Sequence, residues 1–119
     1  MKVDPERNAP TVGPVLETGE AAEAVIAAIR ELNRNVVVQN RGAYLRVLVP
    51  GRCVVTSAAI AAALGRSFCL PGDLELIMPS FKGRFEVSDQ RASWVSQADE
   101  RAGGGSARER VADGEASDE

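Results

Sequence analysis

At 119 residues and 45% apolar composition, the chain is sized for one domain with a modest core that needs neither metal nor disulfide. Its formal charge of −3 is uneven: residues 99–119 carry seven acidic and three basic groups, and residues 1–98 carry ten acidic and eleven basic, so the folded part lacks the basic footprint of a duplex-binding module. Histidine is absent, which removes the Ser-His-Asp and Cys-His nucleophile systems, the commonest general base and the commonest transition-metal ligand together.

Residues 1–11 are polar, contain Pro5 and Pro10, and are expected to form a flexible arm. They hold no apolar core of signal-peptide length, and no run in the chain approaches the ~20 apolar residues of a membrane span. A soluble, cytoplasmic protein is expected. VGPVL (12–16) reads as a short strand, and its Pro14 argues for an edge position. From Gly19 to Asn33 the spacing predicts an amphipathic helix, with Ala22, Val25, Ile26 and Ile29 on one face and Thr18 as its N-cap. Glu20 and Glu23 fall in its first turn, where the helix dipole favours them. Asn33 and Asn35 mark its exit.

The valine run NVVVQ (35–39) is a strand, and NRG (40–42) is a turn. AYLRVLVP (43–50) then alternates cleanly. Ala43, Leu45, Val47 and Val49 make one face, and Tyr44, Arg46 and Leu48 the other. Pro50-Gly51 turns into the strand RCVV (52–55). Thr56 or Ser57 caps the alanine-rich helix SAAIAAAL, which ends at Gly65 in the left-handed conformation. Phe68 and Leu70 should pack beneath its exit, and Arg66 should satisfy its last carbonyls. PGDLELI (71–77) is a turn that continues either as one helical turn or as a strand, with Asp73 and Glu75 as caps. GRFEVS (83–88) and ASWVS (92–96) flank the turn SDQR and read as a hairpin. From residue 97 the GGGS run (103–106) and the acidic, Ala-rich sequence predict a disordered tail. The expected fold is α+β: small, mostly antiparallel sheets in the order β-α-β-β-β-α-β-β with two helices packed on them, residues 12–96 forming the domain and 97–119 the tail.

Little in this string points to chemistry. Cys53 and Cys69 lie too far apart for a CxxC site and sit in apolar contexts, which predicts buried free thiols in a reducing compartment. The carboxylates are scattered, and the glycines form neither GxGxxG nor a P-loop. No cofactor, metal or nucleotide is expected to bind. What stands out is MPSFKGRF (78–85), which joins large apolar side chains to turn residues and charges. A loop of this composition suits a protein interface, where Met, aromatics and Arg concentrate. Phe85, alternating with Gly83 and Val87, should close the core. Phe81 and Tyr44 each stand open between interface and core. Arg46 reads as a solvated strand residue, and Lys82 and Arg84 as charges that protect a strand edge.

Several of these segments together resemble the effector proteins of bacterial multicomponent di-iron monooxygenases. These are the regulatory protein B of methane monooxygenase, the coupling protein of phenol hydroxylase and the effector of toluene monooxygenase, with the last branch most similar. The likeness covers about two thirds of the chain. VGPVL stands at the start of the domain, and NRGAYLRV (40–47) is similar to the family's D-R-x-x-Y-x-x-I/V hairpin strand. TSAAIAAALGRSFCLPGDLELIMPSFKGRF (56–85) resembles its capped helix ending in L-G-R-x-F, followed by a turn and an S-F-x-G loop. The Ala-rich second helix and Pro79 depart from that pattern.

The resemblance implies a non-catalytic, cofactor-free protein, monomeric when free, that docks on the di-iron hydroxylase and tunes oxygen activation, substrate access and turnover. It further implies partner-facing positions at Arg41 and Tyr44 and along Met78, Ser80, Phe81, Lys82 and Gly83. The alternative from element order alone is a small-ligand regulatory module or a split-βαβ RNA-binding domain. That reading needs aromatics on neighbouring central strands and a basic surface.

Overall fold

The computed structural model describes residues 10–96. The expected tail, 97–119, and most of the expected arm lie outside them. At Pro10 and Thr11 the arm's boundary shifts: the Pro10 carbonyl accepts from the Gly51 backbone N–H, and Thr11 already pairs with Pro50.

Strand β1 (Thr11–Glu17) is followed by helix α1 (Glu20–Leu32), then β2 (Val37–Asn40), β3 (Tyr44–Pro50) and β4 (Arg52–Thr56). Helices α2 (Ser57–Leu64) and α3 (Gly72–Ile77) come next, then β5 (Ser80–Lys82), β6 (Arg84–Val87) and β7 (Arg91–Val95). The α+β class and the expected order hold, with two additions. Within residues 71–77, open between helix and strand in the sequence, Gly72–Ile77 form α3, and the loop after it contains β5. Three residues are too few to show a strand period. Ser80–Lys82 becomes a strand because it meets the second edge of β1.

Two antiparallel sheets result, ordered β2-β3-β1-β5 and β4-β7-β6. β1 therefore lies inside its sheet, and the edge position expected from Pro14 is corrected. Its ladder with β3 pairs Val12 with Val49 and Val15 with Arg46, but finds no partners at Gly13 and Pro14 between them. Proline's missing N–H falls in that gap, where it costs no ladder hydrogen bond.

The alternation in β3 sets the layers. Leu45, Val47 and Val49 are buried in one core with Ala22, Val25, Ile26 and Ile29 of α1, which packs against α2 and β4, while β4 and β7 approach the four-stranded sheet at β1 and β3. Trp94, from β7, is completely buried among the same residues. Its indole N–H finds no acceptor among the described residues, a cost that the ring's apolar burial must outweigh.

Capping follows the sequence in α2 and departs from it in α1. Thr56 Oγ1 accepts from the Ala59 N–H at 3.1 Å, and Gly65 ends α2 at φ 84°. The expected cap of α1 is corrected. Thr18 instead donates its hydroxyl to the Gly42 carbonyl at 2.7 Å and its N–H to the Ala43 carbonyl, tying the end of β1 to the β2–β3 turn. Gly19 takes the N-cap position with no side chain to offer. Arg66 likewise does not serve the last carbonyls of α2; it reaches Glu20 at 3.3 Å in an exposed pair, a geometry that contributes little.

Asn33 does more than end α1. Its Nδ2 donates to the Ile29 carbonyl at 2.8 Å and to the Val54 carbonyl at 2.7 Å, and its Oδ1 accepts from the Val54 N–H at 3.0 Å. One amide side chain thus imitates a pairing strand along the free edge of β4. Asn33→Ala leaves both Val54 backbone groups without that partner, and each buried unsatisfied group costs roughly 1–3 kcal/mol. Asn33→Asp should lose nearly as much, because a carboxylate cannot donate to the two carbonyls. Urea midpoints of the two variants check this.

The cysteines divide. Cys53 in β4 is buried as expected, whereas the burial expected for Cys69 is corrected: it is exposed. Phe68 and Leu70 turn into the core on either side of it, and Asp73 Oδ2 accepts from its backbone N–H at 2.9 Å. Burial pushes the Cys53 thiol from its ordinary 9.0 up to about 12. A raised acid keeps its stabilising neutral form below the unfolded value and loses that advantage as pH climbs through the folded one. Stability should therefore fall from about pH 9 upward, by about 1.4 kcal/mol per pH unit, and Cys53→Ala should remove that slope. A thiol reagent at neutral pH should label Cys69 at once and Cys53 only on unfolding.

Candidate functional site

One face of the four-stranded sheet turns into the core; the other face is open. β3 projects Tyr44, Arg46 and Leu48 there, by the alternation that buries their neighbours. The register sets Val15 of β1 between Arg46 and Ser80, and Gly13 beside Lys82. These side chains, with Arg41 and Phe81 at the margins, line a shallow groove of about 460 Å³.

The turn at 40–42 aims Arg41 into this groove. Asn40 Oδ1 accepts from the Gly42 N–H at 2.8 Å, and the Arg41 N–H donates to the Tyr44 carbonyl at 2.8 Å. The turn closes on itself and holds Arg41 at its tip beside the first residue of β3. At the opposite end Lys82 Nζ lies 3.5 Å from Thr11 Oγ1. Three cationic side chains, Arg41, Arg46 and Lys82, line the groove, and no carboxylate does. Glu17, paired with Tyr44 across the β1–β3 ladder, is exposed at its margin.

Phe81 has a divided setting. Its register partner is the buried Pro14, so its ring leaves β5 on the side opposite Ser80 and Lys82, at the sheet's edge. There it lies 5.3 Å from Phe85, which stacks at 5.3 Å and 29° on Trp94. The residue is still 44% exposed. An aromatic run thus leads from the fully buried Trp94 to Phe81 at the edge of the sheet, where that residue borders the groove. Tyr44, 42% exposed, closes the other side. Both are placed to offer apolar area flanked by cations, the composition that binds protein surfaces.

Five sequence candidates, Arg41, Tyr44, Ser80, Phe81 and Lys82, are gathered in this groove. Two are not. The outward projection expected of Met78 is corrected: it is 8% exposed and belongs to the core. Leu74 and Met78, four residues apart at the end of α3, share the inward face, while Leu76 takes the outward one at 77% exposure. Gly83 lies outside the groove, at the switch from one sheet to the other. A Cβ there would stand 2.7 Å from Val12 Cγ1 and 3.0 Å from the Val95 carbonyl, so its work is close packing.

Sequence reasoning missed Arg46, Leu48, Val15 and Gly13. The first two carried a signal, since they share the outer face of β3 with Tyr44. The others carried none, because only the strand order places β1 beside β3. Among the described residues, no three His, Cys, Asp or Glu side chains gather closely enough to hold a metal ion. No helix among them is long and apolar enough to cross a membrane.

Comparison with known proteins gives a consistent result. The alkene monooxygenase system effector subunit of Xanthobacter autotrophicus is 45% identical over 85 residues, covering 70% of this chain and 83% of that protein. A chain from a phenol hydroxylase–regulatory protein complex superposes with a TM-score of 0.63 at 18% identity, over 71% of this chain and 95% of that one. The soluble methane monooxygenase regulatory protein B superposes with a TM-score of 0.57 at 24% identity, over 81% and 70%. At these identities the two structures speak for the fold alone. The model of the MmoB/DmpM family matches residues 10–95, nearly all of the described structure, and the chain belongs to that family.

Proposed function

We propose that the chain is a cofactor-free effector subunit that docks on the di-iron hydroxylase of a multicomponent monooxygenase and tunes its oxygen activation, substrate access and turnover. The observation that carries this reading is its 45% identity to a protein named as the effector subunit of an alkene monooxygenase system. The open sheet face supplies the docking surface. Arg41, Tyr44, Ser80, Phe81 and Lys82 contact the hydroxylase, with Arg46 and Leu48 between them. Catalysis belongs to the partner, since this chain has no histidine and its described carboxylates do not converge. A reducing, cytoplasmic setting suits two free thiols. The RNA-binding alternative gains nothing from the geometry: β1 separates the strands of Tyr44 and Phe81, and Phe85 lies in the other sheet.

Reconstitution tests the reading. Added to the hydroxylase and reductase of its own system, the chain should raise turnover and saturate near one chain per hydroxylase active site. Arg46→Glu should shift that saturation to higher concentration. Arg30→Ala, on the far side of the core, should not. No complex at micromolar concentration, with turnover and product distribution unchanged, sinks the proposal.

A further inference from the structure

We propose that the acidic segment 111–119 of this same chain occupies the cationic groove when the protein is free and competes there with the hydroxylase; the competition, though not the intramolecular contact, rests on the docking reading above. The segment VADGEASDE holds Asp113, Glu115, Asp118 and Glu119 and no basic residue. The groove offers the complement, Arg41, Arg46 and Lys82, with no carboxylate in its lining. Apolar area between those cations, from Leu48 and Val15, matches the single valine that opens the segment.

Geometry permits the return. The described chain ends at Ser96, whose N–H donates to the Gly51 carbonyl at 2.9 Å. Gly51 adjoins Pro50, the register partner of Thr11, and Thr11 Oγ1 lies 3.5 Å from Lys82 Nζ. The chain thus leaves the domain beside the Lys82 end of the groove. Residues 97–113 can span up to about 55 Å when extended, against a longest dimension of 38 Å for the fold. GGGS at 103–106 lets the direction reverse. Tethering at this length sets an effective concentration in the millimolar range, so a contact of only millimolar affinity is substantially occupied.

The consequence is a salt-sensitive brake. A tethered competitor weakens apparent hydroxylase affinity by one plus the ratio of effective concentration to its own dissociation constant, here about 2- to 10-fold. Screening should release it, because the Debye length falls from ≈ 10 Å at 0.1 M to about 3 Å at 1 M ionic strength.

The test compares the full chain with a full-length variant carrying Asp113→Asn, Glu115→Gln, Asp118→Asn and Glu119→Gln. In NMR spectra of the two free proteins at low salt, amide shifts should differ at Arg41, Tyr44, Arg46 and Lys82. Those differences should be independent of protein concentration and vanish in 1 M NaCl. Differences that are absent, or spread evenly over the protein's arginines, overturn the proposal. Differences that grow with protein concentration also overturn it, by assigning the groove to a second copy. In titration against the hydroxylase the neutralised variant should bind about 2- to 10-fold more tightly at low salt, and the ratio should fall toward one as salt rises. Equal affinities at low salt overturn the competition. If Arg46→Ala releases the segment from the groove in the full chain, yet leaves hydroxylase affinity unchanged when introduced into the neutralised variant, where no brake remains, the docking reading has failed and the intramolecular contact stands.

Discussion

Replacing Gly13 with Ala should destabilise the free protein by about 2–6 kcal/mol, enough to consume much of the 5–15 kcal/mol net stability of a small domain. Two costs combine. Gly13 has φ +146°, a conformation that side-chain-bearing residues rarely adopt, and forcing one there costs about 1–3 kcal/mol. A Cβ would also fall onto the Val47 carbonyl oxygen, at a separation that no real contact shows. That neighbour is backbone in the central strand pair and cannot rotate away, so β1 and β3 must part. Overpacking of this kind adds about 1–3 kcal/mol. The damage should reach the groove, because Gly13 sits between β3 and Lys82 on the open face. Gly72→Ala is the control: nothing lies within 4 Å of its position in the first turn of α3, and the substitution should change stability by less than about 1 kcal/mol. Urea unfolding of both variants measures the difference. A Gly13→Ala protein as stable as the parent would mean that β1 and β3 do not approach as described.

The same position shows where sequence reading stopped. Period-2 alternation in residues 43–50 and the 3.6 period of 20–32 each follow from one element burying one face, so both were legible. The cap at Thr56 and the exit at Gly65 are local chemistry within a few residues, and they too could be read. Strand order is different. That β5 adds to the far side of β1, and that Pro14 can therefore sit inside a sheet, depends on pairings about seventy residues apart, which no local pattern encodes. The candidate site shares this limit. Tyr44 and Phe81 drew notice as aromatics in a chain with five of them, whereas Gly13 and Val15 belong to the groove only because their strand runs between β3 and β5. Met78 was misplaced for a helical reason: with 71–77 unresolved between helix and strand, the four-residue spacing from Leu74 that turns it inward could not be used.

Phe81→Ala should weaken the complex with the hydroxylase by about 1–3 kcal/mol, a 5- to 150-fold loss of affinity, if the ring is a desolvated anchor. The free protein should lose less than a core phenylalanine deletion, which typically costs about 3–5 kcal/mol. The structure sets that smaller loss. With 44% of the residue exposed, part of the ring's transfer energy is never gained, but its contact with Phe85 at 5.3 Å goes. Aromatic pairs of this kind contribute about 0.5–1.5 kcal/mol beyond their buried area. Phe81→Leu separates the two effects further, since it keeps apolar volume at the margin of the groove and removes the aromatic contact. It should recover part of the binding, while its melting temperature stays close to that of the alanine variant. Trp94→Ala marks the opposite case, losing stability first because its ring is wholly buried. Melts of the free variants and titrations against the hydroxylase at one temperature well below every melt yield both quantities. A Phe81→Ala protein that melts far below the parent yet binds and activates the hydroxylase normally in the cold would assign the ring to the core alone, and the groove would lose its anchor.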